Sequence, residues 1–263
     1  MARIHYIYPD VPGRPVNGEG VGEVLNRYPD RIEDAIVIRF LPGVYWDTHG
    51  QDQTGFGVPR HQLYLSREMR NVRKERGESR IVLEGVKDFV GTPADPGDVV
   101  LNFPASPIVR VEQGIWEIRN ITIGQHDGRS SKHALECKNG AQVTLENVHC
   151  RVGSTNVGVS AIGGKILCRG DLHCNVDTAS YEGPYRSCGI RATQGGLIDY
   201  IGSARGGHKG TLQIGNGVVS AHDGGQVDLG WRGGLNNITS WTHQGNTLAI
   251  NGGGRINQRG SRL

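Results

Sequence analysis

The chain has 263 residues, with 29 basic and 26 acidic side chains and a net charge of +3. This balance creates no strong field for a polyanion, so the composition argues against a nucleic-acid partner. No apolar stretch reaches membrane-spanning length, and the opening residues, Met1-Ala-Arg-Ile-His5, lack the apolar core of a signal peptide. The composition predicts one domain that is made in a cytoplasm, with no signal peptide and no membrane insertion.

The first predicted elements are an arm and a short helix. Residues 1–18 contain Pro9, Pro12 and Pro15 and cannot form regular structure throughout, so we expect an extended arm that lies on its own domain or reaches a neighbour. From Gly20 to Arg27 and on to Tyr28, apolar residues recur at helical spacing until Pro29. A helix there either covers the open end of the following domain or stands as a loose N-terminal helix.

The next segments have the period-2 alternation of strands. It appears in Ile108-Val-Arg-Val111, Trp116-Glu-Ile118 and Ile121-Thr-Ile123. The 41 glycines and 11 prolines fit many turns and few long helices.

The second half of the chain repeats one phrase: a small residue, two variable positions, a glycine, a spacer and an apolar residue, generally followed by a second apolar residue two positions on. Its copies centre on five glycines and lie about 23 to 32 residues apart: Gly140, Gly163, Gly195, Gly224 and Gly253. Each glycine is predicted at a corner. The alternation after it predicts that the following side chains point inward: Val143, Leu145, Ile166, Ile198, Tyr200, Val227 and Leu229. A repeat of this length buries its apolar face only by stacking on its neighbours, so residues 19–263 are predicted to form a single solenoid of parallel strands.

Several phrases resemble the pectate-lyase-like (pectin lyase-like) superfamily of right-handed parallel β-helices. They are the helical run Val21–Tyr28, the turn Leu41-Pro-Gly-Val-Tyr45 with its preceding strand, and the later strands Arg80–Gly85 and Arg119–Ile123. The resemblance implies an all-β, single-stranded right-handed parallel β-helix with a short N-terminal capping helix. Crossovers between parallel strands favour the same hand independently.

All five cysteines lie between residues 137 and 188, and two of them belong to a repeated His-Cys pair. His149-Cys150 and His173-Cys174 are about one coil apart, so each residue should lie over its counterpart at about 4.8 Å. Three arrangements remain open: a zinc site, a disulfide, or a ladder of small buried side chains. No cofactor is otherwise indicated.

Candidate catalytic residues occur in two His-Asp-Gly triplets, His126-Asp127 and His222-Asp223. Histidine titrates near neutrality and an adjacent carboxylate suits acid/base work, whereas His-Asp-Gly is also ordinary turn chemistry. Further outward carboxylates are Asp171, Asp177, Asp199 and Asp228, which strand alternation also explains as solvated residues. None repeats the adjacent-aspartate motif of polygalacturonases or an arginine motif of pectate lyases.

Four aromatic residues in predicted loops form the candidate binding set: Tyr181, Tyr185, Trp231 and Trp241. Their rigid area suits glycan stacking or protein contacts, and packing onto the coil wall is the alternative.

The absence of a recognisable catalytic motif, together with the arm, resembles phage virion proteins built on this fold. The sequence therefore favours a non-enzymatic virion surface protein, either a capsid decoration protein or a short tailspike, made in the host cytoplasm. The partners implied are copies of itself in a homotrimer, other virion proteins and a host surface glycan. The alternative is a polysaccharide lyase or glycoside hydrolase of the same fold.

Overall fold

The computed structural model describes residues 3–9, 21–27, 35–45, 63–66, 81–103, 106–124, 133–152, 157–176, 188–200, 212–215, 218–228, 248–250 and 253–257. Within these ranges the chain is all-β, with one short α-helix and one 3₁₀ turn, Pro96–Asp98. The helix is α1 (Val21–Asn26).

The strands before the repeated phrase are β1 (Arg3–Ile7), β2 (Ile36–Phe40), β3 (Gly43–Tyr45), β4 (Leu63–Ser66), β5 (Ile81–Gly85), β6 (Val99–Leu101), β7 (Val109–Gln113) and β8 (Ile115–Gly124). The strands that follow are β9 (Leu135–Lys138), β10 (Gln142–Val152), β11 (Val157–Ile162), β12 (Lys165–Val176), β13 (Cys188–Thr193), β14 (Leu197–Tyr200), β15 (Leu212–Gly215), β16 (Val218–Ala221), β17 (Gln226–Asp228), β18 (Leu248–Ile250) and β19 (Arg255–Asn257).

These strands form two sheets, and every pairing between them is parallel. The larger sheet has the order β1-β2-β5-β8-β10-β12-β14-β17-β19. In addition, β6 pairs with the second half of β8, β15 pairs with the second half of β12, and β3 pairs with β6. The smaller sheet has the order β18-β16-β13-β11-β9-β7-β4. Sequential strands alternate between the two sheets through the repeats, so the described chain has the solenoid-like parallel architecture that the repeat predicted.

The long strands bend at a residue with left-handed backbone. This residue is Asn120 in β8, Asn147 in β10 and Gly170 in β12, with φ of 54°, 53° and 67°. Asn147 Nδ2 donates to Asn120 Oδ1 at 3.2 Å, and Asn147 Oδ1 accepts from the Asp171 backbone N–H at 3.1 Å. The asparagine amides therefore tie the bend of one coil to that of the next.

The interior consists of apolar columns in which each coil contributes one residue. One column, fixed by the strand register, contains Ile36, Ile81, Trp116, Val143, Ile166, Ile198, Val227 and Ile256. Its first seven members are fully buried, and Leu145 and Tyr200 are buried as well, so the predicted inward face is confirmed where it is described. Leu229 lies outside the described residues.

The N-terminal segment joins this structure through β1, which extends the larger sheet by pairing with β2. In α1, the side chains of Val21, Val24 and Leu25 are buried in the same core cluster. The described part of the N-terminal arm, residues 3–9, thus lies on its own domain.

Candidate functional site

The outer face of the smaller sheet carries a row of polar side chains. In β9, Glu136 points outward because its neighbours Leu135 and Cys137 are buried inside. The register places one such residue of each strand beside the next, about 4.8 Å apart. This polar row consists of Arg110, Glu136, Ser160, Arg191 and Ser220.

Ser160 belongs to the row because its turn is one residue shorter than the turns at Gly140, Gly195 and Gly224. The repeated phrase aligns Ser160 with Cys137, whereas the register pairs Cys137 with Ala161. The turns at Gly140, Gly195 and Gly224 place two left-handed residues in succession, as Asn139 and Gly140 do, but this turn has Gly163 alone. The missing residue moves Ser160 from the inner to the outer face.

One part of the polar row is electrically compensated. Glu136 is almost fully buried, and its Oε1 lies 2.6 Å from Lys138 Nζ and 3.5 Å from Arg110 Nε. Arg110 Nη1 also lies 3.9 Å from Glu112 Oε1. The carboxylate of Glu136 is therefore held between two cations rather than left open to a substrate.

The adjoining part of the row lacks such compensation. Ser160 Oγ and Arg191 Nε are both buried, and neither makes a hydrogen bond. Among the described residues no carboxylate forms an ion pair with Arg191. Ser160 has only 1% of its surface exposed, while Arg191 is partly open to solvent.

His133 adjoins this uncompensated part. Its Nδ1 accepts a hydrogen bond from the Val157 N–H at 2.9 Å. Burial lowers the pKa of His133, and the charge of Arg191 lowers it further against the opposing effect of Glu136. The ring is therefore neutral near pH 7 and, with Nδ1 accepting, carries its proton on Nε2.

The two repeated histidines stack on the outer face of the larger sheet. His149 and His173 are register partners, and their ring centroids lie 4.3 Å apart with planes 13° from parallel. Burial, then the charges of His173 and Arg151, lower the pKa of His149 to about 4 despite Asp171. Burial also lowers the pKa of His173, so both rings are neutral near pH 7.

The repeated cysteines lie on the other side of the same strands. Cys150 and Cys174 are also register partners, but both are fully buried inside, together with Cys137 and Cys168. All four are free thiols. Because the histidines point out and the cysteines point in, the four residues considered as zinc ligands do not converge. In the described part of the chain, no three His, Cys, Asp or Glu side chains are grouped to hold a metal ion.

Charges of alternating sign cross the outer face of the larger sheet. One row contains Tyr6, Arg39, Glu84, Arg119, Glu146 and Arg169. Arg39 Nε lies 2.8 Å from Glu84 Oε1, and Arg119 Nη1 lies 3.9 Å from Glu84 Oε2. Arg119 Nε also pairs with Glu117. The acidic groups here are neutralised by neighbouring arginines.

An exposed apolar patch lies beside β1. Phe89 and Val90 are 58% and 88% exposed at the tip of a turn, and the Phe89 ring lies 5.1 Å from Tyr6 and 5.9 Å from Tyr8 between centroids. Tyr6 Oη donates to the Phe89 carbonyl. The apolar patch, which we define as Tyr6, Tyr8, Phe89 and Val90, was not predicted from the sequence because its two segments lie far apart in the chain.

The described candidates for acid/base chemistry occupy turn and strand positions. Asp223 is exposed, has a φ of 49° and accepts from Thr193 Oγ1 at 3.4 Å. His222 is half-buried, and its backbone N–H donates to the Ala192 carbonyl at 2.9 Å. Asp199 and Asp228 are register partners on adjacent strands of the larger sheet.

The remaining predicted site residues lie outside the described ranges: His126, Asp127, Asp177, Tyr181, Tyr185, Trp231 and Trp241.

Comparison of the chain with protein-family models, with curated proteins and with solved structures gives no match. Among the described residues, no helix has the length and apolar character needed to cross a membrane.

Proposed function

We propose that this protein is a non-enzymatic component of a phage virion surface, a capsid decoration protein or a short tailspike. The observation that carries this proposal is the apolar patch, because large apolar side chains on an ordered turn typically mark a protein contact. The resemblance of the sequence to β-helical virion proteins supports the choice of partner. The patch attaches the protein to another virion protein, and the coils project from that attachment.

Rigid presentation of the patch suits an attachment role. Asp88 Oδ1 accepts from the backbone N–H groups of Val90, Gly91 and Thr92 at 2.9 to 3.0 Å, and Asp88 Oδ2 accepts from Thr92 Oγ1 at 2.7 Å. The turn also has a bridge between Val86 and Pro93. A contact surface ordered before binding loses less conformational entropy on association.

The proposal also includes the handedness of the coils, the role of helix α1 and the partners of the assembled protein. We infer that the coils wind right-handed, because parallel strand crossovers strongly favour that hand. Helix α1 covers the first coil, a role supported by the complete burial of Val24. Three copies assemble into a homotrimer, and a host surface glycan is a further partner.

A second candidate function has one observation in its favour. The neighbouring outward carboxylates Asp199 and Asp228 fit the close spacing of acid and nucleophile in retaining glycosidases, about 5 Å. A polysaccharide hydrolase would use such a pair, and a lyase of the same fold is the related alternative.

The attachment proposal is tested with the double variant Phe89→Ser/Val90→Ser in the full chain. Because both side chains are exposed, the variant should keep the wild-type melting temperature while its co-sedimentation with phage particles lacking the protein falls by about tenfold or more. Arg255→Ser, exposed on β19, is the control and should bind like wild type.

Two outcomes would overturn the proposal. One is undiminished particle binding by the double variant. The other is release of reducing ends or unsaturated products from host capsule or lipopolysaccharide by the wild-type protein. Loss of that release in Asp199→Asn or Asp228→Asn would establish an enzyme instead: a hydrolase if the products are saturated, and a lyase if they are unsaturated.

A further inference from the structure

The polar row contains an arginine, Arg191, whose Nε is buried and which has no counter-ion among the described residues. Arg191 Nε is buried and makes no hydrogen bond, and the nearest carboxylate in the row, Glu136, is already held by Lys138 and Arg110. Removing a guanidinium from water is costly unless a partner compensates it. The position is therefore suited to an anion that comes from outside the chain.

A second buried group faces the same place. Ser160 is the register partner of Arg191, points outward from β11 and is 99% buried with no hydrogen bond to its Oγ. An unpartnered hydroxyl of this kind is uncommon in folded proteins and calls for a ligand that can accept its proton. An oxyanion ligand would meet both needs, because its oxygens can accept hydrogen bonds from the guanidinium and from the hydroxyl.

His133 supplies a third donor at this position. Its Nδ1 is occupied by the Val157 N–H, which leaves the Nε2–H free to donate. The hydrogen bond places the imidazole against the first residue of β11, the strand that carries Ser160.

We propose that Arg191, Ser160 and His133 form a binding site for an oxyanion on the outer face of the smaller sheet. The planar guanidinium binds two oxygens of a carboxylate, sulfate or phosphate, and the serine hydroxyl and imidazole N–H donate to the same group. Glu136 does not repel the ligand because Lys138 and Arg110 neutralise it. The ligand enters beside Arg191, whose side chain is partly exposed. This site does not depend on the attachment role.

Two sources could provide such a group: a free inorganic anion or an acidic sugar. The probes are inorganic phosphate, inorganic sulfate and glucuronate, with glucose as the neutral control, each added to the full chain in anion-poor Tris chloride buffer, which contains no oxyanion. We expect at least one oxyanion to raise the melting temperature and to bind in calorimetry, while glucose does neither. Tighter binding of glucuronate assigns the site to an acidic sugar, and tighter binding of phosphate or sulfate assigns it to a free anion.

Variants of Arg191 and Ser160 distinguish an anion-binding role of Arg191 from a purely structural one. In anion-poor buffer, Arg191→Met should melt at or above the wild-type temperature because an uncompensated charge is removed. It should also lose the melting-temperature rise and weaken binding by about tenfold or more, while Ser160→Ala weakens it by about threefold or more. Arg255→Met, on the exposed surface of β19, should respond to each probe as wild type does.

The proposal fails if none of the three oxyanions binds, or if Arg191→Met binds them as wild type does. It also fails if Arg191→Met melts well below wild type in anion-poor buffer, because that result would assign Arg191 a partner within the chain. Arg191→Lys, which keeps the charge without the planar fork, should fold normally and retain only part of the affinity.

Discussion

Two successive glycines shape the corner before β12, β14, β17 and β19, and they do so for different reasons. The first, as at Gly224 with a φ of 76°, supplies left-handed backbone in open space. The second, as at Gly225, lies against the preceding coil, where a Cβ would clash with the carbonyl of Ala192 and come within 2.7 Å of Thr193 N. Coil stacking therefore depends on the absence of a side chain at the second position.

The first prediction compares the two glycines. Gly225→Ala should lower the free energy of unfolding by about 2 kcal/mol or more, because its Cβ overlaps backbone that cannot move independently. Gly224→Asn should cost about 1 kcal/mol or less, since Asn tolerates left-handed backbone. Urea unfolding measures both. Equal losses in the two variants would contradict the close approach of the coils at Gly225.

The bends of β8 and β10 share a short residue pattern, and the structure shows what this pattern does. Asn120 and Asn147 each follow a charged residue and precede an apolar one, and both take left-handed backbone. Their amide contact joins two coils. These asparagines were not predicted from the sequence, because only the strand register brings their amides together.

At the scale of the element, register decides which side chains become neighbours. The pairing of β10 with β12 stacks His149 on His173 outside and Cys150 on Cys174 inside. The larger sheet likewise brings Arg39 against Glu84, which lies 45 residues further along the chain. These cross-strand contacts stabilise the outer face, each by about 1 kcal/mol or less where it is exposed.

The second prediction concerns acid stability of the histidine pair. The pKa of His149 falls from about 6.5 in the unfolded chain to about 4 in the folded protein, and that of His173 also falls. Between these values the unfolded chain binds more protons, so stability should decrease as the pH is lowered from about 6.5 to about 4. We expect His149 to contribute a loss of stability on the order of 1 to 2 kcal/mol. This is less than the full pKa shift implies, because the ring is partly open to solvent, which screens its charge.

The measurement is urea unfolding from pH 7 to pH 4, with NMR titration of the imidazole signals. The double variant His149→Gln/His173→Gln should lose less stability over that range than wild type. Imidazole signals of His149 that titrate at the ordinary value would show that the ring is not shielded in the stack.

At the scale of the whole molecule, one continuous apolar interior runs through the described coils and encloses the thiols. Cys137, Cys150, Cys168 and Cys174 belong to the same core cluster. Burial raises the pKa of Cys137 to about 12 and that of Cys168 further, and the hydrogen bond with Cys150 together with burial raises that of Cys174. Thiolates at these positions are therefore scarce until the coils open.

The third prediction follows from that enclosure. Iodoacetamide at pH 8 should label Cys137, Cys150, Cys168 and Cys174 at the rate of unfolding rather than at the rate of a free thiol, as followed by peptide mass spectrometry. The double variant Cys150→Ala/Cys174→Ala should remain folded, with a loss of about 1 to 3 kcal/mol from core truncation. Stoichiometric zinc in the wild-type protein that is lost in this variant would contradict the ladder of thiols.

The sequence by itself determined the local features of this protein. The corner glycines, the inward face at Val143, Ile166, Ile198 and Val227, and the parallel solenoid-like stacking all follow from short patterns. Each depends on backbone freedom or on alternation within a few residues, and repetition along the chain strengthened the signal.

The tertiary structure decided which outward residues meet. Connections of unequal length separate the strands, so spacing in the sequence does not reveal register, and one shorter turn was enough to move Ser160 to the outer face beside Arg191. The same reason hid the apolar patch, where Tyr6 meets Phe89 across 83 residues. Polar sites on a solenoid are built across coils, and contacts between coils exist only after the apolar interior has set their alignment.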